Sequence, residues 1–174
     1  HKGGRSGKGG DLLYRWGNPK AYDRGYSNDQ KLFFQHDATW IENGYPGEGN
    51  ILVFNNGNNR PSGQYSTVDE FVPPVDSNGE YYLETGEAYG PEDYIWSYIA
   101  NPPLSFYSNV FGGALRFKDG NTLICDGTSG RFFEVTPEGN TVWQYINQFP
   151  YPNLNHVYKI DYIPPEEPPQ PEIP

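Results

Sequence analysis

The chain has 174 residues and a formal net charge of −10. That length supports one domain with a real core and not two ordinary ones. The acidic balance excludes nucleic acid as a partner, because neutralising phosphates takes a basic face, and no apolar stretch is long enough to cross a bilayer as a helix. The 15 Tyr, 10 Phe and 4 Trp, punctuated by 21 Gly and 17 Pro, predict many short strands joined by tight turns.

In chain order, "HKGGRSGKGG" (residues 1–10) reads as a flexible, basic, Gly-rich segment. Its "GRSGKGG" lacks the glycine spacing and the Ser or Thr after Lys that a phosphate loop needs. The alternation of apolar and polar residues predicts a strand at Leu12–Trp16, then Ala38–Ile41, Ile51–Asn55, Thr67–Val72 and Ile95–Ile99. A second set follows at Gly113–Phe117, Thr122–Asp126, Arg131–Thr136 and Thr141–Ile146, with a last strand at His156–Ile163. The insertion Pro73–Asp93 separates the third and fourth strands of the first set. Within it, "DSNGEYYLE" (Asp76–Glu84) has the composition of a Ca²⁺ loop without the twelve-residue ligand spacing. No cofactor is otherwise expected, and no Cys or His cluster suits zinc. Cys125 falls in an apolar strand, where a buried, inert thiol is expected. "PPEEPPQPEIP" (Pro164–Pro174) reads as an extended, Pro-rich tail. Methionine is absent, so the chain is read as a processed product or a piece of a longer one.

The strands recur as an internal repeat. "GNILVFNN" matches "GNTLICDG", "STVDEFVPP" matches "RFFEVTPEG", and "IWSYIANPP" matches "VWQYINQFP", with "LYRWGNP" a third copy of that last element. Four strands per repeat indicate propeller blades. The expectation is therefore an all-β chain spanning residues 11–163, with two complete blades and two partial ones. Such a set does not close a ring, so its open faces imply a partner that supplies the rest.

"GDLLYRWGNP", "QHDATWI", "GNILVFNNG", "STVDEFVPP" and "GNTLICDGTSGRFFEVTPEGNTVWQY" resemble, in the same order, the C-terminal half of the aryl-sulfate sulfotransferase family. The resemblance implies part of a six-bladed propeller, secreted or periplasmic. It also implies sulfuryl transfer from a small phenolic sulfate ester to a phenol through a sulfated histidine, which would fall on His36. The family's second histidine, its asparagine and its arginine come from blades upstream, and residues 1–35 do not supply them. The implied partner is the remainder of the propeller, from the upstream half of a precursor or from another chain; a homo-oligomer is also left open.

From the residues alone, two roles stay open for His36. It caps a turn, or it is a nucleophile whose second ring nitrogen is oriented by Asp37 or a backbone carbonyl. Charge developing on sulfuryl oxygens needs nearby donors, and Asn55, Asn56 and Arg60 are the substrate-binding candidates. Turn formation is the plainer reading of "NNGNNRPSG". His156 is read as a strand residue and His1 as part of a loose end. The competing function is a non-catalytic propeller segment acting as a binding or assembly module.

Overall fold

The structure, a computed structural model, describes residues 2–5, 7–151 and 153–163. Among these residues it is all-β: two four-stranded antiparallel sheets, with short 3-10 turns at Pro19–Tyr22, Ser27–Asp29 and Pro103–Ser105 as the helical elements. The first sheet runs β1 (His36–Trp40), β2 (Ile51–Asn55), β3 (Thr67–Phe71) and β4 (Trp96–Ile99). The second runs β5 (Gly113–Arg116), β6 (Thr122–Asp126), β7 (Arg131–Val135) and β8 (Thr141–Ile146). Each is a simple meander in sequence order. Short β-branched and aromatic runs stopped by Gly, Pro or Asn favour strands joined by tight turns, and β2 and β6 are apolar enough to be buried on both faces.

Two expected strands do not form. Among the described residues the backbone of Leu12–Trp16 has no ladder partner; Tyr14 and Trp16 pack instead against Leu32, Val53 and Phe71. Its side chains hold it: Tyr14 Oη donates to the Gly90 carbonyl (2.7 Å) and Trp16 Nε1 to that of Pro91 (2.7 Å). His156–Ile163 is likewise not a strand. Two separated backbone bonds tie it to the second sheet, Val157 N–H to Gly127 O and Gly112 N–H to Tyr158 O. A strand needs a neighbour along its whole length, and among the described residues neither segment has one.

The larger core lies between the sheets and gathers Leu52, Phe54, Val68, Tyr98, Phe106, Ile124, Phe133 and Val135. A smaller one, around Leu32, Val53 and Phe71, lies on the far face of the first sheet under Tyr14, Trp16 and Tyr94. The described residues of the first ten are exposed and touch the insertion through Lys8 and Glu80 (2.5 Å). The Pro-rich tail and His1 lie outside the described residues. Cys125 is fully buried, and burial pushes its thiol up to about 12, as suits an inert side chain.

Candidate site at His36

β1 opens with an irregularity that aims the histidine. His36 pairs with Phe54 and Thr39 with Leu52, so two residues of β1 face the single Val53 between them. Asp37 takes up this bulge at φ 50°, a left-handed conformation that Asp tolerates better than most residues. Its carboxylate turns to the backbone N–H of Ala114 and toward Lys159, and burial outweighs both in pushing its pKa upward. Asp37 is therefore not the group that orients the ring.

That role falls to Asn56, which directly follows β2 and is fully buried. Its Nδ2 donates to the carbonyls of Ser108 (2.6 Å) and Phe111 (3.0 Å). Carbonyls only accept, so Nδ2 must face them and Oδ1 must face His36, 2.7 Å from Nδ1. An amide oxygen cannot donate. Nδ1 therefore carries a proton, and the tautomer this bond selects has its lone pair on Nε2. The imidazole is half-buried beside Phe34 (ring centroids 6.0 Å) and edge-on to Tyr158 (6.3 Å).

Asn56 keeps this position through its neighbours. Ser66 Oγ donates to its carbonyl (3.0 Å), and the turn continues through Gly57 at φ 81°. A Cβ on Gly57 would collide with the Tyr65 carbonyl oxygen, so only glycine fits there.

Asn55 points the other way, as successive strand residues must. Its Oδ1 accepts from Phe33 N–H (2.9 Å), and its Nδ2 donates to Lys31 O (3.0 Å) and Asp69 Oδ2 (2.9 Å). Arg60 joins this second cluster. Its guanidinium reaches Thr67 Oγ1 (3.3 Å) and lies over the Tyr65 ring at 4.5 Å, while its Nε is buried without a hydrogen-bond partner among the described residues. The four candidates thus fall into two pairs, His36 with Asn56 and Asn55 with Arg60. Ser108, Phe111 and Tyr158 complete the surroundings of the first pair; only the proximity of distant loops reveals them, and no local motif marks them.

Asp69, at the centre of the second pair, also accepts from Ser97 Oγ (2.5 Å) and Thr67 Oγ1 (2.9 Å). Burial nonetheless pushes its carboxyl above the ordinary range. The folded state then holds this proton more tightly than the unfolded one, so the stability it contributes is present at low pH and lost as pH rises through the raised value. Urea midpoints should show the wild type losing ground to Asp69→Asn over that rise. Parallel pH profiles would mean that the three donors cancel the effect of burial.

Among the described residues no group of three or more His, Cys, Asp or Glu could hold a metal. In the acidic insertion, Asp76 Oδ1 accepts the backbone N–H of Asn78 (2.8 Å) and Glu80 (3.0 Å), the bonding of a turn. Among those residues no helix is long and apolar enough to cross a membrane. No family model matches the chain, and no curated protein or solved structure matches it.

Proposed function

We propose that this chain is the nucleophile-bearing part of an aryl-sulfotransferase-like propeller of secreted or periplasmic type. His36 takes a sulfuryl group from a phenolic sulfate ester and passes it to a second phenol. The observation that carries this reading is the chain of hydrogen bonds from the Ser108 and Phe111 carbonyls through Asn56 to Nδ1, which leaves Nε2 free to attack.

In the first step the Nε2 lone pair forms a bond to sulfur, the ester S–O bond breaks, and the aryl oxide leaves and takes up a proton from solvent. Nδ1 keeps its proton and its bond to Asn56, so the positive charge on the sulfated ring is shared with an amide oxygen. In the second step the acceptor phenol oxygen bonds to sulfur, the N–S bond breaks, and the phenol proton passes to solvent. Phe34 and Tyr158 beside the ring suit an aryl group. Phe34 also lines a cleft of about 530 Å³ with Tyr14, Trp16, Tyr22 and Leu32. Arg60, the sequence candidate for a cation on the sulfuryl oxygens, packs over Tyr65 beside Thr67, in the pair that does not contain His36. The amide N–H groups of Asn55 and Asn56 are spent within the fold, so other donors would come from the rest of the ring.

The test is to incubate the complete protein with 4-nitrophenyl sulfate, quench, and map modified peptides by mass spectrometry. The expected result is one sulfuryl group on His36, removed when an acceptor phenol is added. Release of 4-nitrophenol with the acceptor sulfated and His36 never modified would overturn the reading.

One observation favours the assembly reading. All six residues of β8 are exposed, Val142, Trp143, Tyr145 and Ile146 among them.

A further inference from the structure

The contact between the two sheets has a pattern, and the second sheet repeats that pattern on its far side. On the covered face of the first sheet, Leu52, Glu70 and Trp96 form one row across β2, β3 and β4, and Phe54, Val68 and Tyr98 form the next. The second sheet completes this face. Arg116 pairs with Glu70 at 2.6 Å and stands 5.0 Å over the Trp96 ring, while Trp96 Nε1 donates to the Pro137 carbonyl (2.7 Å).

On the far face of the second sheet the rows read Leu123, Glu134, Trp143 and Cys125, Phe132, Tyr145. Leu, Glu, Trp and Tyr occupy matching places. The support behind the glutamate is repeated too: Asn50 Nδ2 donates to Glu70 Oε1, and Asn121 Nδ2 to Glu134 Oε1, each at 2.6 Å. The coverage is not repeated. Tyr98 is 7% exposed, whereas Tyr145 is 44% and Trp143 47% exposed. Among the described residues, Glu134 Oε2 and Trp143 Nε1 have no partner.

The tryptophans narrow down the missing piece. Trp16 stacks on Phe71 (4.0 Å) and donates to the carbonyl of Pro91, as Trp96 does to that of Pro137. Both acceptors open a Pro-Glu turn ahead of a fourth strand. Trp143 is the third member of this series. A second copy of the chain does not fit. Its first sheet carries Trp40 where the second carries Arg116, its far face is already covered by Tyr14 and Trp16, and its Arg116 is committed to Glu70.

We propose that the far face of the second sheet docks a further four-stranded antiparallel sheet. The first strand of that sheet supplies an arginine to Glu134, and the turn before its fourth strand supplies a backbone carbonyl to Trp143 Nε1. This docking does not depend on the chemistry at His36. Burying an unpaired glutamate under any other apolar surface is unfavourable, so the acid selects its partner as well as binding it.

The test places p-benzoylphenylalanine at Tyr145 in the protein as isolated from its source, irradiates it, and sequences the cross-linked peptide. The expected peptide is a strand from a sheet whose first strand bears an arginine. Glu134→Gln in the same background should reduce the cross-link to the level seen without light, and Trp143→Phe, which removes only the N–H, should reduce it partly. The mass of the product separates a sheet of the same polypeptide from one of another chain. A cross-link to β8 of a second copy, to a sheet without such an arginine, or to nothing would overturn the proposal. So would a yield unchanged by Glu134→Gln.

Discussion

With His36 replaced by alanine, sulfuryl transfer by the complete protein should fall by on the order of 10⁴-fold or more, the scale seen when an enzyme loses its nucleophile. The fold should survive. His36 is half-buried, and its side-chain hydrogen bond among the described residues is the one to Asn56. Losing that donor leaves Asn56 Oδ1 short of a partner in a buried place, a cost of about 1–3 kcal/mol. A lower melting temperature is therefore expected beside the lost rate, and circular dichroism should show the sheets intact. Free imidazole added to His36→Ala should restore part of the turnover, because the cavity admits a nucleophile that the backbone no longer carries. A merely unstable variant would not respond in that way. An unchanged rate in His36→Ala would end the nucleophile assignment, whatever the melting temperature.

Arg116→Met should produce the largest loss of stability. The Arg116 and Glu70 side chains are 8% and 4% exposed and meet at 2.6 Å between the two sheets. Removing the arginine leaves a buried carboxylate with only Asn50 to bond it, a cost of about 3–5 kcal/mol. The double variant Arg116→Met, Glu70→Gln should recover most of this, since a neutral amide can stay bonded to Asn50 beside an apolar neighbour. Urea unfolding of the four members of this cycle measures the coupling directly. If Arg116→Met costs no more than an exposed pair would, about 1 kcal/mol or less, the two sheets do not depend on this contact.

The strand positions were legible in the sequence because their causes are local. "GNILVFNN" and "GNTLICDG" are short apolar runs bounded by Gly, Asn and Asp, as strands buried on both faces require, and β2, β6 and β8 begin and end where the pattern predicts. β1 starts two residues earlier than the pattern suggests, at His36, because the bulge at Asp37 interrupts the alternation. The repeat also placed Trp16, Trp96 and Trp143 in one series. What remained hidden depends on which distant segments come together. Asn55 and Asn56 read as turn formers or anion donors; the last residue of β2 and the one that follows it point to opposite sides, where Asp69 and the loop at Ser108–Phe111 use up their amides. Leu12–Trp16 and His156–Ile163 have strand-like sequences without strand structure, because a strand exists only when a neighbour pairs with it. Local patterning was enough for eight strands and their order, though it also suggested two that do not form, and it singled out His36 as a candidate nucleophile. Which nitrogen of His36 is protonated, and which sheet face the described residues leave uncovered, follow from contacts between residues tens of positions apart, which no local pattern encodes.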